Sequence, residues 1–284
     1  MARGSKGPAR KAVQGKAVAA ELDPGQSKAL LQSLHLLDRN GNLQADTRRK
    51  LKQVNHLIRL LAPALEDAFE RHEEPLFLDA GAGNVYLGFV LYELYFQPRG
   101  RGRVLAVEPR PELVAQARER AAKLGFERLE VQEGTLAEVE LPERLHLVGA
   151  LHACDTATDE ALLRALAARA DHVALVPCCQ AEVARQLGEL AKEEASPLFA
   201  RPLHRREFGA HLTNVIRSLV LEARGYKVTV TELTGWEHSL KNELILARRI
   251  HDRNPGARRR LEALLEQYPV RPAALAALEP QTAG

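Results

Sequence analysis

Cysteine, tryptophan and long apolar runs are scarce in this 284-residue chain, which holds 3 cysteines and 1 tryptophan. An odd number of cysteines cannot all pair. Cys154, Cys178 and Cys179 sit near two expected strand ends, so free thiols and a reducing compartment, the cytosol, are expected. No apolar run approaches the roughly 20 residues that cross a bilayer. The longest, Leu87 to Phe96, is cut by Tyr92 and Glu93 and reads as a buried helix. Met1 to Lys16 is basic but lacks the apolar segment of a secretory signal. Neither a membrane nor an obligate protein partner is expected.

The formal net charge is a modest +3, but its placement is uneven. Arg3, Lys6, Arg10, Lys11 and Lys16 all precede the first acid, Glu21, and a second basic cluster spans Arg248 to Arg260. Basic ends of this kind suit phosphate backbones. They equally suit a solvated tail.

Along the chain, residues 1–25 carry no periodicity and read as a disordered basic tail. Residues 26–72 read as a helical region, with one helix near Ser27 to Leu37 and a second from Asp46 to about His72. Pro63 predicts a break or kink in the second. From residue 73 to 250 short apolar strands alternate with helices, which predicts a mainly parallel sheet covered on both faces. A helix from Phe208 to Arg224 follows an irregular basic stretch, two β-rich runs close the series, and residues 251–284 read as a helical extension and tail.

Two patterns carry chemistry. The first strand runs into Asp79-Ala-Gly81-Ala-Gly83-Asn84-Val85-Tyr86, where glycines permit a tight turn beside a helix N-terminus. The third glycine of the dinucleotide fingerprint is missing. Glu108 ends the second strand, where a carboxylate can accept from both ribose hydroxyls. Asp79 would repel a pyrophosphate but suits an amine-bearing cofactor such as S-adenosylmethionine. Asn84 and Tyr86 in the same loop join the candidate set, with Thr135 and Leu136 after the third strand for the adenine.

The second pattern is "ALHACD" after the fourth strand and "VPCCQ" after the fifth. Both loops should open onto the cofactor crevice. His152, Cys154 and Cys178 make poor tetrahedral spacing for zinc, so no metal is expected. Cys178 or Cys179 could be a thiolate nucleophile toward a pyrimidine, with Cys154 as a second thiol. Alternatively Asp155 or His152 removes a proton from an oxygen or nitrogen nucleophile while the cysteines pack nearby. His152 also counts among the candidate cofactor contacts. Trp236, Glu237, His238 and Lys241 precede the last strand, in a loop that borders the substrate opening in such sheets.

Taken together, "KLKQVNHLI", "FLDAGAGNVYLGFVLYEL", "ALHACDTATDEAL", "VPCCQ" and "HSLKNELI" resemble a family of class I methyltransferases related to a domain of eukaryotic tRNA ribose 2'-O-methyltransferases. The similarity runs from about Arg48 to Arg249. It implies a Rossmann-like α/β fold with seven strands in the order 3-2-1-4-5-7-6, an N-terminal helical cap, and S-adenosylmethionine held by Asp79, Gly81, Gly83 and Glu108. It also implies an RNA substrate, tRNA or rRNA. A small-molecule or protein methyltransferase, or an inactive cofactor- or RNA-binding module, stands as the alternative. Val85 departs from the family, where glycine is frequent.

Overall fold

The computed structural model describes residues 22–43, 45–151, 153, 156–177, 181–193, 197–233 and 243–278. Seven strands form one sheet: β1 (Leu76–Ala80), β2 (Arg103–Glu108), β3 (Leu129–Glu133), β4 (Leu147–Leu151), β5 (His172–Val176), β6 (Tyr226–Glu232) and β7 (Glu243–Arg249). Their order is β3-β2-β1-β4-β5-β7-β6, as the family resemblance implies. The first five are parallel, and β7 runs antiparallel between β5 and β6.

Every residue of β1 and of β5 is buried, which is why both read as apolar runs apart from Asp79 and His172. The pleat sends successive side chains to opposite faces. Phe77 therefore joins one apolar cluster while Leu76, Leu78 and Ala80 join the other. The first face is covered by α1 (Lys28–Ser33), α2 (Ala45–Arg71), α3 (Tyr86–Leu91) and α4 (Pro111–Leu124). The second carries α5 (Thr156–Ala167), α6 (Glu182–Glu193), α7 (Pro202–Ala223) and α8 (Pro255–Gln267). Among the described residues no helix is long and apolar enough to cross a membrane.

Of the break or kink expected at Pro63, the break does not occur, for α2 is one helix through Pro63. Pro63 and Arg59, whose carbonyl the ring leaves without a donor, are both exposed, so water can serve that carbonyl. Apolar residues on both sides of the proline, Leu51, Val54, Leu57, Ile58, Leu61, Leu65 and Phe69, bind the helix to the sheet and offset the lost bond. The first helix stops earlier than its apolar spacing suggests, at Ser33, and α7 starts six residues sooner than expected, at Pro202. Its basic first turn had masked the helix, although Pro202 stands at a position that favours a helix start. Inside the first turn of α5 the Thr158 hydroxyl donates to the Ala153 carbonyl at 2.6 Å.

At the strand ends away from the glycine loop, buried Asp171 accepts from Arg71 at 3.1 Å and Arg144 at 2.8 Å and pairs with His72 at 2.8 Å. His146 Nδ1 accepts the Leu76 N–H at 2.9 Å, and burial pushes its pKa down to about 4, so it stays neutral in this role. These contacts tie the C-terminus of α2 to the starts of β1 and β5.

The deepest ion pair lies on the other face. Arg217 Nε of α7 donates to Asp159 Oδ1 of α5 at 2.6 Å, with both side chains only 1% exposed. Removing one member strands a buried charge, whereas replacing both with apolar residues of similar volume does not. Asp159→Leu should therefore cost about 3–5 kcal/mol in urea unfolding, and the Asp159→Leu, Arg217→Met double variant should recover most of that loss.

Candidate functional site

Parallel strands point their C-terminal ends the same way, and the loops leaving β1, β2 and β4 meet there. Asp79 in β1 stands opposite Ala106 on one side and Gly149 on the other. Its carboxylate is 1% exposed and Oδ2 accepts the Gly88 N–H at 3.0 Å. Gly88 is the third residue of α3, whose N-cap Val85 makes no side-chain capping bond. Asp79 thus supplies from the sheet the cap that the helix lacks. A Cβ on Gly88 would lie 3.0 Å from Asp79 Oδ2 and 2.9 Å from Val85 Cγ1, so the bare glycine allows the approach.

Between them, Gly81 and Gly83 have φ of 63° and 57°, the left-handed conformation in which glycine is at no disadvantage. Val85 shares it at φ 58°, although it is β-branched and fully buried. This conformation costs a valine where glycine pays nothing. Asn84 is exposed, and Tyr86 is partly buried with Lys50 Nζ 5.8 Å from its ring centroid.

Glu108, the last residue of β2, is 2% exposed. Its Oε2 accepts the Gly83 N–H at 2.7 Å, and its Oε1 accepts both the Arg110 N–H at 3.2 Å and Arg110 Nε at 2.5 Å. Burial works to raise its pKa, but the Arg110 side chain and the two backbone donors outweigh that and hold it below the ordinary carboxylate value. Asp79 goes the other way. Burial pushes its pKa up to about 7, the charge of Glu108 adds to the rise, and the Gly88 donor only partly opposes it. Two carboxylates at neighbouring strand ends thus differ in charge near neutral pH.

Beyond β3, Thr135 N and Oγ1 both donate to Glu138 Oε2, at 3.0 and 2.8 Å. Leu136 is buried and its carbonyl accepts Arg164 Nε at 2.6 Å. His152, Cys154, Asp155, Cys178 and Cys179 lie outside the described residues, as do Trp236, Glu237, His238 and Lys241. What is described is their attachment: Ala153 is buried, β4 ends at Leu151 and β5 at Val176. Among the described residues no group of three or more His, Cys, Asp or Glu could hold a metal ion. Arg110 was not singled out from sequence, although a cation two residues beyond the acid, in "VEPRP", was the available signal.

Residues 49–186 match the family model described as a methyltransferase domain. The chain carries a methyltransferase domain. With the 3-2-1-4-5-7-6 sheet, this is the domain of an enzyme whose cofactor is S-adenosylmethionine. Among curated proteins nothing matches the chain. Solved structures similar to it include an rRNA methylase from Streptococcus thermophilus, 13% identical over 68% of this chain and 96% of that one, with a TM-score of 0.43. Another is magnesium protoporphyrin IX methyltransferase from Synechocystis with bound SAH, 13% identical over 78% and 94%, TM-score 0.46. A third is an SAH-bound methyltransferase from Podospora anserina, 14% identical over 88% and 100%, TM-score 0.46.

The methyltransferase domain's acids give a stability test. An acid whose folded pKa lies above its unfolded value stabilises fully below the unfolded value, and that contribution is lost as pH rises through the folded one. For Asp79 the window runs from 3.8 to about 7. Asp79→Asn keeps an acceptor for Gly88 without the charge. Its ligand-free stability relative to wild type should climb across that window, by up to about 4 kcal/mol, and level off above it in thermal melts at stepped pH.

Proposed function

We propose that this methyltransferase acts on RNA, tRNA or rRNA, with the cofactor held at the C-terminal ends of β1 and β2. Asp79, Glu108, Gly81 and Gly83 fit that cofactor. The left-handed glycines bring backbone close, one acid suits the ribose hydroxyls and the other a positively charged group. When bound, S-adenosylmethionine supplies a methyl group on a sulfonium, ready for in-line displacement. The chain's part is to orient the acceptor and remove its proton. Asp155 and His152, which follow β4 in sequence, are assigned that role, with Cys154 and Cys178 beside the acceptor. The odd cysteine count supports a cytosolic setting.

The observation that carries the RNA reading is the charge pattern of α2. From Thr47 to Leu65 it contains Arg48, Arg49, Lys50, Lys52 and Arg59 and no acid. Its C-terminus leads directly to the start of β1, so its N-terminus points toward the glycine loop, where Lys50 lies near Tyr86. At about 1.5 Å per residue a helix of 27 residues far outreaches a strand of five, and it carries its cations past the crevice. The exposed cations Arg49, Lys50 and Lys52 beside a methyl-transfer site are matched in charge to a phosphate backbone.

Incubation of the protein with labelled S-adenosylmethionine and total RNA, read by nucleoside mass spectrometry, should show a methylated nucleoside. Glu108→Ala should abolish both cofactor binding and transfer. Arg49→Glu with Lys52→Glu should leave cofactor binding intact, weaken RNA binding at least tenfold and flatten its salt dependence. Transfer to metabolite or protein extracts but not to RNA would replace the RNA reading with the small-molecule or protein one. Cys178→Ala should keep transfer, and its complete loss would favour a thiolate mechanism instead.

A further inference from the structure

Helix α7 is longer than the sheet is tall, and its contacts fix how far it overshoots. Its last residue, Ala223, lies at the foot of the sheet, where Tyr226 opens β6 and its hydroxyl donates to the Ala170 carbonyl just before β5. Higher on the helix, Asn214 Nδ2 donates to Glu243 Oε2 at 2.9 Å. Glu243 opens the antiparallel strand β7. Since Ile245 pairs with Leu175, Glu243 stands beyond Val176, the last residue of β5. At about the same level Arg217 reaches Asp159 in the first turn of α5. The helix therefore climbs the whole sheet between Ala223 and Asn214. Its residues from Pro202 to Thr213 project past the strand ends by about 18 Å, the rise of a dozen helical residues.

The projection is braced. Helix α6 packs along it in the antiparallel sense: a Cβ on Gly209 would lie 2.8 Å from Ala184 N, and one on Gly188 would lie 3.4 Å from Arg205 Nε. The Phe208 ring stacks with Phe199 and meets Tyr268, just past α8, edge-on at 5.2 Å between centroids. Of the four large apolar side chains exposed among the described residues, Leu203 belongs to the projection and Leu198 to the turn before it, at 57% and 53% exposure. Arg201 and Arg206 beside them are exposed. Arg206 bonds its neighbour Glu207 at 2.9 Å, but a guanidinium has five N–H donors, so others face outward. Steps of three and four residues put Leu203 on the same helix face as Asn214 and Arg217, turned toward the strand ends.

We propose that the projecting part of α7 is the second wall of the RNA site. It stands across the strand ends from the acid-free stretch of α2, which overshoots the same ends on the other face of the sheet. Arg201 and Arg206 meet phosphates of an RNA strand lying between the walls, and Leu203 packs against a base. Cations on two rigid walls suit a polyanion long enough to touch both. Phosphate contacts on both sides fix the strand's position over the methyl donor without reading its sequence.

This inference rests on the RNA reading, and fluorescence anisotropy with end-labelled, fragmented total RNA separates the two. Arg201→Gln with Arg206→Gln should weaken binding about tenfold and lower the slope of log affinity against log salt by about 1.5. Leu203→Ser should weaken it about fivefold at an unchanged slope, since it removes apolar contact and no charge. Both variants should bind S-adenosylhomocysteine as wild type does. Wild-type RNA affinity and slope in the double glutamine variant, while Arg49→Glu with Lys52→Glu loses binding, overturns the second wall and leaves the RNA reading standing. No RNA binding by any of the proteins, wild type included, overturns both. Polyglutamate that binds wild type as tightly as RNA does, and loses affinity in the double glutamine variant, overturns the proposal in favour of an acidic protein partner.

Discussion

Two buried carboxylates of the same formal charge end neighbouring parallel strands, and the geometry of the crevice follows from how each is satisfied. Asp79 is held among apolar side chains by the Gly88 N–H, and burial raises its pKa to about 7. Glu108 is met by three donors and keeps its charge. Each is served by backbone from the loop between them, Gly83 for one and Gly88 for the other, so the loop cannot relax without exposing an acid. Two acids kept together at a cost in stability support the proposal that they serve a ligand with vicinal hydroxyls and a positive charge.

The remaining architecture holds those strand ends still. On one face, α1 and α2 pack Leu30, Leu31, Leu57 and Leu61 into the same cluster as Phe77 and Phe89, so the N-terminal helices are part of the sheet's core. On the other, the Arg217–Asp159 pair joins α7 to the first turn of α5, which directly follows the "HACD" segment in sequence. At the opposite end of the sheet, Asp171 gathers Arg71, Arg144 and His72. Both faces of the sheet are thus tied to the strands whose ends carry Asp79 and Glu108.

Much of this was legible in the sequence, for identifiable reasons. Strands buried on both faces leave unbroken apolar runs, and Pro111 and Gly125 bracket α4 where their backbone preferences place them. The acids at the ends of β1 and β2 stood out because an ionisable group closing an apolar strand is conspicuous. Pro63 misled, since its effect depends on which side of the helix faces water and on how much apolar surface lies beyond it. The start of α7 was hidden because the charged turn Arg205–Arg206 breaks the apolar period. Arg217 reads from sequence as one more surface cation on an amphipathic helix, since its partner is 58 residues away. Arg110 was missed because a hydrogen bond to an acid two residues away leaves no periodic trace.

The central claim is that Asp79, partly protonated near pH 7 in the empty protein, and the ionised Glu108 together grip one cationic, ribose-bearing cofactor. Calorimetric titration with S-adenosylhomocysteine at pH 7, in buffers of different ionisation heat, counts the protons exchanged on binding. A positive group beside Asp79 draws out its proton, so wild type should release about half a proton per site and Asp79→Asn none. Tight binding with no proton released by wild type would contradict the claim.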